Sequence, residues 1–194
     1  MTAEPVSATS VFAGPDATRQ RMADYTIADV LALPEEAPRV ELRDGVMIVV
    51  PSPTVGHQTI SNLLWHWFRT RAPQEYFATT AIGVAVTDSD TFEPDVLLLR
   101  SRPPAENHYV PADQVLIAVE VVSRGTRRRD RFEKPADYAA AGIPYYWRVE
   151  QDPVHVYAYE LGDDGTYGLA ADSDTELVLE RPFEVRLSVA DISP

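Results

Sequence analysis

The run Val115-Leu116-Ile117-Ala118-Val119-Glu120-Val121-Val122 constrains the fold more than any other segment. Residues this rich in β-branched side chains, with almost no polar alternation, define a strand covered on both faces. The sheet that contains it therefore needs a layer on each side. The run also carries one carboxylate. An ionised carboxylate buried without a partner is costly, so Glu120 must be protonated, paired with a cation or bound to a metal.

Length and composition bound the alternatives. The 194 residues, 45% of them hydrophobic, suffice for one domain with a sizeable core. Residues 1–23 mix Ala, Thr, Ser, Pro and Gly without periodicity and read as a disordered tail, which leaves a single domain over 24–194. No stretch approaches the roughly 20 apolar residues of a membrane span. Met1 to Asp24 has neither a basic start nor a continuous apolar segment, so a cytoplasmic location is expected. The chain has no cysteine, which excludes disulfides, thiolate zinc sites and cysteine nucleophiles. Oxygen and imidazole ligands remain, and they suit hard cations such as Mg²⁺.

The net charge of −13 argues against assigning nucleic-acid binding from composition, because phosphate contacts draw on clustered Lys and Arg. Its distribution is uneven. Residues 150–194 hold 11 acidic and 2 basic residues, a net of −9, and read as an acidic, β-rich extension. By contrast, Arg124 to Lys134 holds six basic and two acidic residues, a local +4 beside the Glu120 strand.

The pattern predicts a short helix capped by Thr26 with Asp29 three residues on, stopped by Pro34. A β-hairpin follows around Asp44-Gly45. From His57 to Arg71, Ile60, Leu63, Leu64, Trp67 and Phe68 share one helical face. Strands are expected at 81–87 and 94–100, a loop at 103–113, and a second helix over 133–141 with Pro135 in its first turn. A hairpin around Asp152-Pro153 and two or three weaker strands complete the chain. The resulting architecture is α/β, with a mixed central sheet flanked by the two helices.

Asp95 opens an apolar strand after Glu93-Pro94, Glu120 lies in the next buried strand, and Lys134 begins the following helix. The two carboxylates could hold Mg²⁺, which favours a few carboxylate oxygens, waters and phosphate oxygens. A metal so held could acidify a water, and Lys134 could stabilise the negative charge that develops on phosphate oxygens.

At these residues the chain resembles the PD-(D/E)XK nuclease superfamily and, more closely, its Uma branch of restriction-endonuclease-like proteins. The resemblance runs from about Tyr25 to Tyr159. It rests on Val40-Glu41-Leu42-Arg43-Asp44-Gly45, Pro51-Ser52-Pro53 with His57, Glu93-Pro94-Asp95-Val96, Val119-Glu120-Val121-Val122-Ser123, and Lys134-Pro135 through Tyr138-Ala139 to Ala141-Gly142-Ile143-Pro144-Tyr145-Tyr146-Trp147. It implies a restriction-endonuclease-like core and a metal-dependent DNA endonuclease that uses Mg²⁺, with Mn²⁺ as the alternative. Asp95 and Glu120 would be the metal ligands, Glu41 a supporting acid and Lys134 the catalytic lysine. A homodimer is implied by the same resemblance. One departure matters: the superfamily lysine would stand at position 122, which is Val here, so Lys134 must reach the site from the helix.

Plainer readings stand beside these. Glu120 could belong to a structural ion pair, Asp95 to a strand-start turn, and Glu41 to a solvent-facing hairpin. His57 could serve a helix N-terminus or a functional site. Arg127, Arg128, Arg129 and Arg131 read either as a solvated loop or as phosphate contacts. Trp65, Trp67, Tyr145, Tyr146 and Trp147 suit core and hairpin packing better than base stacking. Ser123 lacks a Ser-His-acid context. The alternative functions are a catalytically silent nucleic-acid-binding module and a protein-interaction module on the same fold.

Overall fold

The computed structural model describes residues 24–123 and 129–194. The segment read as a tail, together with Arg127 and Arg128, lies outside them. Helix α1 (Ile27–Leu31) begins at Thr26, whose N–H donates to Asp29 Oδ2 at 2.8 Å. Strands β1 (Val40–Arg43) and β2 (Val46–Val49) form the expected antiparallel hairpin. Both turn residues have positive φ, 48° at Asp44 and 70° at Gly45, as a type I′ turn requires. A Cβ at position 45 would also lie 2.7 Å from the Asp24 nitrogen, so glycine is needed there twice over.

Helix α2 (Val55–Arg71) starts two residues before His57 because Thr54 caps it, its hydroxyl accepting from the His57 N–H at 3.3 Å. Ile60, Leu64, Trp67 and Phe68 form its buried face. Next come β3 (Phe77–Thr79), β4 (Gly83–Ala85), β5 (Thr91–Phe92), β6 (Val96–Leu99), β7 (Tyr109–Pro111) and β8 (Val115–Val121). The strand expected at 81–87 contracts to β4, since Ala81 has φ 54° and the chain turns back where Val86 N–H meets Asp90 O. Within the expected loop at 103–113, three residues form β7 and pair with β4 in parallel. So short a strand carries too little periodicity to be read from sequence.

A π-helical turn, Arg129–Glu133, leads into α3 (Lys134–Ala140). Strands β9 (Tyr145–Gln151) and β10 (Val154–Leu161) make the hairpin expected at Asp152-Pro153. The β-rich C-terminal part comprises β10, β11 (Tyr167–Ser173), β12 (Glu176–Leu179) and β13 (Val185–Ser188).

The central sheet is six-stranded and mixed, in the order β11-β10-β9-β8-β6-β3, with β8 and β9 the parallel pair and the other neighbours antiparallel. All seven residues of β8 are buried, as its sequence requires. On one face Val119, Val121, Trp147 and Val149 pack against α2 and the β12–β13 hairpin. On the other, Ala118 and Tyr146 pack against Tyr138 of α3 and against Val84, Phe92 and Val110 of the small β5-β4-β7 sheet. Among the described residues no helix is long and apolar enough to cross a membrane.

Candidate active site

The antiparallel register of β6 and β8 builds the first half of the site. Val96 pairs with Val119, so one step further Asp95 faces Glu120. The contact is direct at the next residue, where Val121 N–H donates to Asp95 Oδ2 at 2.7 Å. The same oxygen lies 3.0 Å from His57 Nε2, which the first turn of α2 delivers. Burial lowers the His57 pKa, but Asp95, Asp130 and the Val121 backbone together outweigh it and the net shift is upward.

The second half gathers around Lys134. Its Nζ is 2.8 Å from Glu120 Oε1 and 3.2 Å from Glu41 Oε1, and its side chain is only 8% exposed. Glu41, far from facing solvent, is buried and also accepts from the Glu93 N–H at 3.0 Å. Burial works against the ammonium, yet Glu120, Glu41 and Asp130 together raise the Lys134 pKa, so it is a cation throughout the physiological range. A lysine opposes the dipole at a helix start. Here the ammonium turns away from the helix and into a carboxylate cage.

Glu120 receives a second hydrogen bond, from the Tyr138 hydroxyl to the same Oε1. Burial holds the Glu120 pKa well above the usual carboxylate range; Lys134 opposes that shift, while Asp95 and Asp130 add to it. Burial also keeps Tyr138 protonated, so its hydroxyl can donate to Glu120. Neither Tyr138 nor Asp130 stands out in the sequence as a site residue. The available signal for Tyr138 is its spacing, four residues after Lys134 and so on the same helical face.

Glu41, Asp95, Glu120 and Lys134 thus converge from β1, the start of β6, the end of β8 and the start of α3. Except for Glu41, they line a cleft of about 460 Å³, with His57, Ser123, Asp130 and Gln151 among its other walls. Among the described residues, no donor engages Glu120 Oε2 or Asp95 Oδ1. Two hard oxygens on adjacent strands, beside an open cleft, fit a Mg²⁺ that completes its shell with water and phosphate. No cluster of three or more His, Asp or Glu side chains suited to a metal occurs among the described residues. Among the described residues, a cation here would have these two carboxylates to hold it and would take further ligands from elsewhere.

Of the expected phosphate contacts, only the Arg131 side chain falls within the described residues, and its Nε donates to Glu150 at 2.8 Å. Trp67, Tyr146 and Trp147 are buried in the core, as packing residues should be. Trp65, in contrast, is exposed rather than packed in the core, its Nε1 donating to Ala78 O at 3.1 Å.

A mixed sheet flanked by α2 and α3, with charged residues at its strand ends, is the restriction-endonuclease-like α/β architecture, and the comparisons agree with it. The chain belongs to the Uma2 family, described as "Putative restriction endonuclease", whose model matches residues 27–190. A crystal structure from Anabaena variabilis ATCC 29413, described as a putative nuclease belonging to DUF820, superposes with a TM-score of 0.67 at 20% identity. The match covers 87% of this chain and 97% of that one. No curated protein matches the chain.

Proposed function

We propose that this protein is a metal-dependent DNA endonuclease that hydrolyses phosphodiester bonds through an activated water. The observation that carries this reading is the convergence of Asp95, Glu120 and Lys134 at one cleft, in a member of the Uma2 family. Asp95 through Oδ1 and Glu120 through Oε2 would hold a Mg²⁺ or Mn²⁺ ion, which when bound supplies Lewis acidity and lowers the pKa of a water.

The remaining roles belong to the chain's own groups. Lys134 presents a fixed positive charge at the cleft wall and stabilises the negative charge that develops on the phosphate oxygens. Glu41 anchors that ammonium from the opposite side, so the lysine enters the reaction already positioned. Tyr138 and Lys134 together fix the Glu120 carboxylate by one oxygen, which leaves the other for the metal. The Val121 N–H and His57 do the same for Asp95.

The test is nicking of supercoiled plasmid by the purified chain in Mg²⁺, Mn²⁺ and EDTA, with Glu120→Gln and Asp95→Asn in parallel. Metal-dependent nicking that is lost in both variants is expected. Nicking that survives in either variant overturns the site. Absence of nicking by the wild type in every metal favours a silent binding or interaction module.

A further inference from the structure

Arg148 lies beyond the cleft lining, whose cations are Lys134 and Arg39, and none of the roles above employs it. On β9 it is the register partner of Glu120 on β8. Partners in a parallel ladder project from the same sheet face, and neighbouring strands lie about 4.8 Å apart. Arg148 is therefore one strand away from the carboxylate proposed to hold the metal.

Its setting is unusual for a surface arginine. The guanidinium carbon lies 4.3 Å from the centre of the Tyr157 ring and 5.7 Å from that of Tyr159. The stack continues beyond both rings: His155 lies on Tyr157 at 4.4 Å, and Tyr146 on Tyr159 at 5.8 Å. His155 is tied in turn to Asp172, 2.6 Å away. Aromatic faces thus hold the plane of the guanidinium, with cation–π attraction at its face.

Its edge is not satisfied. The Arg148 side chain is only 16% exposed, yet it makes no hydrogen bond among the described residues. The nearest carboxylate oxygen, Glu150 Oε1, is 3.4 Å from Nε, outside hydrogen-bond geometry, and it already accepts from Arg131 Nε at 2.8 Å. Two guanidinia therefore share this one carboxylate, and the other acid of the ring cluster, Asp172, is engaged by His155. A guanidinium carries five N–H donors; the buried Nε of Arg148 has no hydrogen-bond acceptor, and its terminal nitrogens make no hydrogen bond among the described residues. Phosphate oxygens match its planar fork.

We propose that Arg148, together with Arg131, forms a phosphate subsite flanking the cleft, which holds a phosphodiester next to the one under attack. The inference rests on the nuclease reading and extends it: the nucleic-acid strand leaves the cleft across β9 and β10. Arg148 is a positioning residue here, since it touches substrate away from the reacting atoms.

The experiment is the affinity of the full chain for a fluorescein-labelled DNA oligonucleotide, measured by anisotropy in EDTA over a range of salt concentrations. Each phosphate contact contributes roughly one unit to the slope of log affinity against log salt. Arg148→Gln is expected to lower that slope by about one and to weaken binding roughly tenfold at physiological salt. Arg148→Lys, which keeps the charge and loses the fork, should restore the slope. If Arg148→Gln does not fold, Arg131→Gln on the π-helical turn should lower the slope in the same way. Unchanged affinity and slope in folded variants, with a wild type that binds and nicks DNA, overturn the subsite alone. A wild type that neither binds nor nicks overturns the nuclease reading, and the subsite with it.

Discussion

The two faces of the central sheet divide the labour of the molecule. Toward α2, strands β8 and β9 present Val119, Val121, Trp147 and Val149, fully apolar and closed by the β12–β13 hairpin. Toward α3, the same strands present Glu120 and Arg148 beside Ala118 and Tyr146, and Lys134, Glu41 and Tyr138 close over the carboxylate. The first face gains free energy simply by excluding water. On the second, the desolvation of Glu120, Glu41 and Lys134 offsets much of what their attraction returns, so stability alone does not account for the charges. Burial places the charged cluster and the apolar core on opposite sides of a single strand.

That contrast can be broken most sharply by truncating the apolar face. Trp147→Ala is expected to lower stability by about 3–5 kcal/mol, measured by urea unfolding, with the charged constellation still assembled at low denaturant. A loss below about 1 kcal/mol would mean that this face does not dominate the core.

Lys134→Met should cost a similar amount, about 3–5 kcal/mol, because it strands Glu120 and Glu41 as buried carboxylates. The informative comparison is the double variant Lys134→Met/Glu120→Gln. It should regain about 1–3 kcal/mol over the single variant and remain inactive in plasmid nicking. If the double variant is as unstable as the single one, the lysine acts through packing rather than charge.

Tyr138→Phe removes only a hydroxyl from the polar face. The loss of one hydrogen bond to a charged group is worth about 1.5–3 kcal/mol, detectable as a lower urea midpoint. No change in the midpoint would show that Lys134 alone fixes Glu120. The smallest effect is expected at Thr54→Ala, about 1 kcal/mol, since it removes the α2 cap next to His57. A thermal melt should register it as a shift of about 2–4 °C.

Much of this organisation was legible in the chain. The β8 run required burial on both faces, Asp44-Gly45 required a tight hairpin turn, and the stripe from Ile60 to Phe68 required a helix against the sheet. Short elements were less legible: β5 and β7 have two and three residues, and only pairing with β4 makes them strands. At the site, Asp95, Glu120 and Lys134 could be named from their elements. Glu41 was open to a solvent-facing reading, because alternation within a four-residue strand does not say which side is covered. His57 was open for a similar reason. Its backbone serves the Thr54 cap while its ring reaches Asp95, so both readings of the residue hold at once.

The sequence by itself determined that a carboxylate would be buried in a two-sided strand and would require a partner, because the cost of desolvating a charge is independent of which residue compensates it. Only the tertiary structure decided which partners those are. Lys134 and Tyr138 reach Glu120 from one face of α3, Glu41 arrives from a hairpin some 80 positions earlier, and Arg148 is set beside Glu120 by strand register. Contacts between residues far apart in the chain depend on how layers stack and how strands align, and no local pattern encodes either.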